Sequence, residues 1–223
     1  MKLLLAAALC AATATAAAGQ LAPSTAVPLP APRRAGPMSL EAALWARQSV
    51  RALARDSAVA LADAGQLLWA GQGVNRPANG HRTAPSAGAT YPLELFLVAS
   101  RVAGLAPGVY HYRPATHDLE PVASGDRLKD LVDAAVHQAW VSDAAGVIVF
   151  AAVPERAARF GPRADRFVPM DVGFAGENVY LQAAALGLAT TFAGSVQDTA
   201  AVRVLGLPAE AHPLGIMPFG RPR

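Results

Sequence analysis

Thr83-Ala-Pro-Ser-Ala-Gly-Ala-Thr-Tyr-Pro-Leu-Glu-Leu-Phe-Leu-Val-Ala-Ser100 joins a loop of small residues directly to an apolar run. Pro85 and Pro92 restrict the backbone at both ends of the loop, and the small residues between them leave backbone N–H groups open to a ligand. From Leu93 to Val98 the run is apolar on both faces, which predicts an interior strand. The loop is therefore either an ordinary turn before a strand or a surface that packs against a flat ligand.

The N-terminus carries the features of a secretory signal peptide. Lys2 precedes a short apolar run, and Ala16 to Ala18 offer a small-residue cleavage site before Gly19, so we expect a signal peptide at residues 1–18. The run is shorter than the roughly 20 apolar residues that cross a bilayer, and we expect no stable membrane span after cleavage. The mature protein is then periplasmic or secreted. Leu9 before Cys10 makes lipidation at Cys10 the less favoured alternative.

Composition excludes several classes of protein. Cys10 is the only cysteine, so the cleaved chain has no disulfide, thiol nucleophile or thiolate metal site. The net charge of +3 comes from scattered arginines, without the basic and aromatic clusters typical of nucleic-acid binding. Residues 19–38 are rich in Pro and Ala and predict a linker or a surface arm, which leaves residues 39–223 as one folded domain.

The first helix is predicted to carry a candidate phosphate site. Ser39 is a suitable N-cap, and the apolar spacing after it predicts a helix to about Leu53. Arg47 and Arg51 are four residues apart and would share a face, with Ser49 between them. Paired guanidinium donors suit a phosphate, although a solvated basic helix end has the same pattern.

The remaining pattern predicts an α+β fold with a mixed sheet flanked by helices. A helix from Phe167 to Leu188 is apolar almost all round, with Met170, Phe174 and Leu181 on one face, which predicts a central interface helix between subunits. Other predicted elements are a helix at 59–72, a hairpin at 109–122, a helix from Asp126 to His137, strands at 146–153, 189–193 and 213–219, and a short helix at 198–206.

Familiar catalytic motifs are absent from the sequence. It has no phosphate-binding P-loop, no complete dinucleotide fingerprint and no G-x-S-x-G elbow, so Ser86 and Ser195 are weak nucleophile candidates. The five histidines are dispersed without ligand spacing, and we expect no metal site. No catalytic residue is assigned from the residues alone.

Several short motifs, taken in order, resemble the flavin-dependent nitroreductase superfamily from about Ser39 to Arg221. The SagB-type, or thiazole/oxazole-forming, dehydrogenases are the most similar branch. The resemblance implies an FMN-binding homodimer with two active sites at the subunit interface. The motifs that carry it are Arg47–Arg51, Leu67–Gly73, Arg82–Ala89, Tyr91–Glu94, Gly108–Tyr112, Gly176–Leu188 and Pro218–Arg221.

The resemblance also implies cofactor contacts at the matching positions. The FMN phosphate, ribityl chain and pyrimidine edge would be held by Arg47, Ser49 and Arg51, and Arg221 would return to the phosphate. Gly194 would contact the ring edge near N5. Residues packing against the isoalloxazine from the partner subunit would be Pro85, Ser86, Ala87 and Ala89.

One departure from the branch bears on chemistry. Azoline-oxidising members carry a Lys-Tyr pair for proton abstraction where this chain has Arg159-Phe160. A guanidinium stays protonated and Phe has no hydroxyl, so the pair argues against azole formation.

We therefore expect an exported FMN-dependent oxidoreductase that transfers hydride in ping-pong order to an unknown small-molecule acceptor. Nicotinamide nucleotides are scarce outside the cytoplasm, so a quinone or a redox protein is the expected electron donor. The alternative is a non-catalytic flavin-binding or interaction protein that retains the fold.

Overall fold

The computed structural model describes residues 25–223, so the predicted signal peptide and Cys10 lie outside the described residues. The helices are α1 (Leu40–Ala46), α2 (Leu61–Gln72), α3 (Leu128–Leu131), α4 (Ala164–Ala185) and α5 (Asp198–Leu205). The strands are β1 (Val27–Pro28), β2 (Val59–Ala60), β3 (Val74–Arg76), β4 (His81–Arg82), β5 (Leu93–Ala99), β6 (Val102–Ala103), β7 (Gly108–Arg113), β8 (Asp118–Ser124), β9 (Gly146–Ala152), β10 (Ala189–Thr190) and β11 (His212–Gly220). Short 3₁₀ segments span Ala87–Ala89, Ala139–Asp143 and Pro154–Arg163, and a π-helical turn spans Val132–Val136.

Among the described residues, seven strands form the main sheet in the order β1-β8-β7-β5-β9-β11-β10. Every pair in this sheet is antiparallel, while β2 and β6 form a separate parallel pair. Both parallel and antiparallel pairing therefore occur in the described residues, and the parallel pairing is that of β2 with β6. β5 lies between β7 and β9 and is buried along its whole length, which confirms the predicted interior strand.

Alternate residues of β5 face two different helical layers. Leu95 and Leu97 belong to the apolar cluster that includes α2 and α4, whereas Phe96 and Val98 belong to the cluster that includes α3 and α5. Because both faces are covered by helices, the strand is apolar on both faces. The predicted α+β sheet flanked by helices is confirmed.

The described part of the Pro/Ala-rich segment is an arm on the body of the domain. β1 pairs with β8 and closes that edge of the sheet. Leu29 is buried against Gly65 of α2, and the backbone N–H of Arg33 donates to Gln66 Oε1 at 2.8 Å. An edge strand covered in this way exposes fewer unpaired backbone groups.

The first helix is shorter than the sequence predicts. Ser39 caps it, with its Oγ accepting from the Ala42 N–H at 3.1 Å, but the helix ends at Ala46. The Val50 N–H donates to Thr190 O at 2.9 Å, so the chain runs extended beside the edge strand β10. The prediction that Arg47 and Arg51 share a helical face is therefore wrong, because pairing with β10 replaces the last turns.

Most other predicted elements are confirmed with small shifts at their ends. The strand predicted at 189–193 is limited to Ala189–Thr190, and the helix predicted from Asp126 to His137 is split into α3 and the π-helical turn. The long helix α4 begins and ends three residues before its predicted bounds, and α5 ends at Leu205 and is capped by Gly206, which has φ +66°. Within residues 25–223, no helix combines the length and apolarity that a membrane span requires. The same residues contain no group of three or more potential metal ligands.

Candidate active site

Helix α4 presents four different sides to its surroundings. Val172 and Val179 are buried toward the sheet, while Met170 and Phe174 remain about half exposed on the opposite side (48% and 49%). At 100° per residue, the helix has two further sides between these. We call the side with Pro169, Gly173, Gly176 and Tyr180 the cavity flank, and the side with Asp171 and Asn178 the loop flank.

A cavity of about 470 Å³ opens on the cavity flank. A Cβ added at Gly173 would meet no atom within 4 Å, and one added at Gly176 would touch the Phe192 ring at 3.4 Å. The glycines therefore make room beside the helix. An apolar cleft with a few polar groups at one end is typical of a cofactor or small-molecule site. The cavity is lined by Pro169, Val172, Gly173, Gly176, Glu177, Tyr180, Phe192 and Leu214.

Tyr180 joins two segments at the edge of this cavity. Its hydroxyl accepts a hydrogen bond from the Phe192 N–H at 2.7 Å and lies 3.0 Å from Ser49 Oγ. The Arg47 guanidinium lies 5.4 Å from the centre of the Tyr180 ring, and its Nε is 4.0 Å from Glu177 Oε1. The extended segment after α1 is thereby fixed beside the cavity.

Gly194 lies next to the same cluster. Ala193 exchanges backbone hydrogen bonds with Ile216 at 2.8 and 2.9 Å, which fixes the chain between Phe192 and Gly194. Gly194 itself is exposed. Of the predicted cofactor-binding residues, Arg47, Ser49 and Gly194 are thus brought together around Tyr180 and Phe192.

Arg51 and Arg221 make their contacts elsewhere. The Arg51 guanidinium lies over the Trp140 ring, 5.8 Å from its centre. Arg221 Nη2 lies 3.9 Å from Asp63 Oδ2 on α2, with the side chain 45% exposed. Their cofactor contacts remain predictions from the resemblance.

The small-residue loop forms a tight turn with unusual backbone angles. The Tyr91 N–H donates to Ser86 Oγ at 2.9 Å, and the Ala89 N–H donates to Ser86 O at 3.0 Å. Gly88, Ala89 and Tyr91 have φ of +54°, +54° and +46°. Left-handed backbone is disfavoured for Ala and more so for Tyr, so other contacts must hold this turn.

The accessibility of the loop differs along its length. Pro85 and Ala89 are exposed, while Ser86 and Ala87 are half-buried. Two of the residues predicted to pack against a partner's cofactor, Pro85 and Ala89, are therefore exposed.

The loop is attached to the loop flank of α4. Asp171 lies beside Ser86 and the Ala87 backbone, and Asn178 Nδ2 donates to Thr83 O at 3.3 Å. Asp171 is 3% exposed, and its Oδ2 has no hydrogen-bond partner in the described chain. Burial raises the pKa of the Asp171 carboxyl, an effect that the neighbouring Ser86 hydroxyl and Ala87 amide offset only in part. The loop is thus on the side of α4 opposite the cavity.

Arg159 and Phe160 lie on the loop flank as well. Arg159 Nη2 donates to Gly88 O, and the Phe160 ring packs edge-on against Phe167 at 5.1 Å between centres. A Cβ added at Gly88 would clash with Arg159 Nη2. The guanidinium is therefore occupied in fixing the loop, a role that sequence analysis did not anticipate.

Tyr180 and Asp171 were also missed by sequence analysis. Tyr180 falls inside the quoted motif Gly176–Leu188, but one tyrosine in an apolar helix has the pattern of a core residue. Asp171 stands among apolar neighbours, and only its burial against Ser86 gives it significance. A polar residue within an apolar helix face was the available signal in both cases.

Comparisons with known proteins show which family and fold the chain resembles. A profile of the Nitroreductase family matches residues 44–221. A protein of Methanocaldococcus jannaschii named as a nitroreductase is 37% identical over 185 residues, which cover 82% of this chain and 91% of that protein. A structure named as a nitroreductase from Ralstonia eutropha JMP134 superposes with a TM-score of 0.78 at 28% identity, covering 89% of this chain and 90% of that chain.

A chain in the microcin synthetase McbBCD complex of E. coli, solved with truncated pro-MccB17 bound, shares the fold. It superposes with a TM-score of 0.68 at 24% identity and covers 77% of this chain and 67% of that chain.

Proposed function

The chain belongs to the nitroreductase family, and from that premise we propose that it is an exported, FMN-dependent oxidoreductase that works as a homodimer. When bound, FMN takes a hydride from a donor and passes it to an acceptor in a second half-reaction. The observation that carries the proposal is the Tyr180 cluster, which brings Arg47, Ser49 and the chain before Gly194 to one cavity. These are residues for which the family resemblance implies cofactor contacts.

The residues around the cavity fit FMN in size and chemistry. Arg47 provides a planar fork of donors that matches phosphate, and Ser49 adds a hydroxyl. The cleft beside Gly173 and Gly176 is largely apolar, as a flat aromatic ring requires. The exposed backbone at Gly194 suits the polar edge of the ring. Arg51 and Arg221 are assigned to the cofactor on the family resemblance alone.

The proposed homodimer follows from the separation of the two flanks. The loop residues Pro85 to Ala89 and the cavity lie on opposite sides of α4 in one chain, so a second copy is needed to bring a loop to each cavity. The exposed side of α4 and the neighbouring α1 carry large apolar side chains that a second copy would cover. These are Leu40, Leu44, Trp45, Met170 and Phe174, of which Trp45 is 94% exposed.

The proposed reaction is reduction of a small-molecule acceptor, with a quinone or a redox protein as donor. Export favours such donors over nicotinamide nucleotides. The sequence motifs quoted above support descent from the thiazole/oxazole-forming branch. Azole formation is not proposed, because Arg159 is a permanent cation bonded to Gly88 O and Phe160 has no hydroxyl. Water would supply the proton to the acceptor.

The first test is an absorption spectrum of the purified mature protein, with mass spectrometry of the released cofactor. We expect a flavin spectrum and FMN, both lost in Arg47→Ala/Ser49→Ala. The control is Arg203→Ala, which removes an exposed arginine from α5. A colourless protein that also fails to take up added FMN would contradict the proposal.

Turnover separates the two functional alternatives. Anaerobic reduction by a quinol, followed by reoxidation with a quinone or nitroaromatic compound, is expected for the oxidoreductase. A protein that binds FMN but is reduced by no donor would instead be a flavin-binding protein without turnover. Sedimentation analysis of the same sample tests the homodimer.

A further inference from the structure

We propose that Tyr91 is a positioning residue that holds loop 85–91 in the shape that receives FMN from the neighbouring copy. The inference rests on the proposed function and deepens it. It concerns the affinity of the site for FMN. Tyr91 is partly buried, whereas Gly88 and Ala89 are exposed, so Tyr91 would act through the shape of the loop.

The backbone angle of Tyr91 is the first observation. A φ of +46° is rare for any residue with a Cβ and rarer for a bulky one. Strained angles persist only where the surroundings impose them, and they concentrate at functional sites. Ala89 has the same feature two residues earlier, so this loop contains two such residues close together.

The two other described non-glycine residues with positive φ have ordinary explanations. His117 lies in the turn between β7 and β8, and His137 ends the helical segment after α3. Left-handed residues are common at hairpin turns and helix ends. Neither explanation applies to Tyr91, which lies between a 3₁₀ turn and the start of β5.

Tyr91 is held through every polar group it has. Its N–H donates to Ser86 Oγ at 2.9 Å, and its carbonyl accepts from Arg156 Nη1 at 3.2 Å. Its hydroxyl accepts from the Arg82 N–H at 3.2 Å, and the Arg82 guanidinium lies 4.7 Å from the ring centre. These contacts fix both ends of the loop against each other.

The two arginines are fixed in turn by buried groups. Arg156 donates to Glu94, which is 7% exposed on the central strand β5 and lies 2.7 Å from His111 Nε2. Arg82 donates to Gln72 Oε1 at 2.9 Å, and Gln72 is 2% exposed. Tyr91 therefore transmits the rigidity of the sheet and of α2 to a surface loop.

The consequence is a preformed binding surface. Gly88 and Ala89 are exposed at the tip of the turn, with almost no side chain to move aside. When a loop already has its bound shape, no binding free energy is lost in ordering it. Loss of Tyr91 should thus weaken FMN binding through disorder of the loop, although no atom of Tyr91 needs to touch the cofactor.

The test compares Tyr91→Gly with His137→Gly. Each replaces a left-handed residue by glycine, which relieves backbone strain, but only the first releases the loop. We expect the FMN dissociation constant of Tyr91→Gly, measured by flavin fluorescence, to rise about tenfold. Amide exchange in residues 85–91 of the apoprotein should become faster. His137→Gly should match the wild type in both measurements.

A second variant keeps the test decisive if Tyr91→Gly does not fold. Arg156→Gln retains Tyr91 and removes the contact to its carbonyl together with the ion pair to Glu94, and it should show the same pattern to a smaller degree. Unchanged affinity and unchanged exchange in the variants would overturn the inference. Wild-type protein that binds no FMN would contradict the proposed function, whereas the exchange of the apoprotein loop would still decide whether Tyr91 fixes it.

Discussion

The cavity flank and the loop flank of α4 differ in how tightly their polar groups are constrained. On the cavity flank, Arg47 and Glu177 are 4.0 Å apart with side chains 35% and 49% exposed, and Gly173 leaves open space. On the loop flank, Asp171 is buried and Tyr91 is held at a positive φ. One side thus leaves room for a ligand, while the other is already rigid. In the proposed dimer, each cofactor would lie between the cavity flank of one chain and the loop flank of the other.

Gly173→Leu is expected to have the largest effect, because it fills the cavity. We expect FMN affinity to fall by at least about 100-fold, close to 2.7 kcal/mol. The thermal midpoint should hold or rise, since replacing a helical glycine gains about 0.5–1 kcal/mol. Titration of apoprotein with FMN and thermal unfolding check both values. Gly173→Ala is the matched control and should bind FMN normally. Full FMN binding by the leucine variant, with the dimer intact, would show that the cofactor does not use this cavity.

Glu94→Gln tests the rigidity of the loop flank. Glu94 accepts from Arg156 and lies 2.7 Å from His111 Nε2, so a neutral amide weakens two charge-assisted hydrogen bonds at a buried site. We expect the free energy of unfolding, measured with urea, to fall by about 2 kcal/mol. A change below about 0.5 kcal/mol would mean that the network does not stabilise the fold.

The acid dependence of the same variant gives an independent check. Burial opposes the charge of Glu94, but the hydrogen bonds from His111 and Arg156 outweigh it and lower its pKa. The contribution of Glu94 to the free energy of unfolding is therefore present above the ordinary carboxyl pKa. It is lost as the pH falls through the lower pKa that Glu94 has in the folded protein. The stability difference between wild type and Glu94→Gln should shrink in that acid range. A difference that stays constant would contradict this assignment.

Asp171→Asn should have a smaller effect of opposite sign. Burial raises the pKa of Asp171, so ionisation makes the folded state less stable as the pH rises through that value. A neutral amide costs less to bury, and we expect the variant to be more stable near pH 7 by about 1 kcal/mol. The two proteins should converge on acidification, when Asp171 is itself protonated. Lower stability of the variant at pH 7 would show that the anchor to Ser86 outweighs the burial of charge.

Glu177→Gln should have the smallest effect on stability. Its ion pair with Arg47 is long and partly exposed, so the unfolding free energy should change by less than about 0.5 kcal/mol. Removing the carboxylate leaves Arg47 free for phosphate, and FMN affinity should rise slightly, by about twofold. Weaker FMN binding would instead assign Glu177 a direct role with the cofactor.

Strong local patterns predicted most of the fold. The strand β5 and the helix α4 follow from continuous apolar runs, and both are present near the predicted positions. The extent of α1 could not be predicted, because the chain after Ala46 is fixed by Thr190, about 140 residues later. Periodicity within a window carries no information about such a partner.

The site was predictable only where residue types were distinctive. Arg47 and Ser49 are predicted phosphate ligands because of their residue types, and the structure places them together with Gly194. The buried role of Glu94 was not predictable, because it depends on Arg156 and His111, which reach it from other elements of the fold. Tyr91 likewise gives no sign in the sequence of its backbone angle. Long-range polar contacts decide the site, and they appear only after folding.

A mixed dimer tests the central claim that each cofactor lies between a cavity of one chain and a loop of the other. One chain carries Arg47→Ala, which disables its cavity side. The other carries Gly88→Val, which disables its loop because a β-branched residue is strained at a φ of +54° and the Arg159 guanidinium would have to move. Two different affinity tags isolate the mixed dimer, and its bound FMN is measured per chain.

Both homodimeric variants should hold almost no FMN. In the mixed dimer, one site combines the intact cavity of the Gly88→Val chain with the intact loop of the Arg47→Ala chain, while the other site has both halves disabled. The account therefore predicts about half of the wild-type FMN content. A mixed dimer without FMN would show that the cavity and the loop serve the same chain, which contradicts the account.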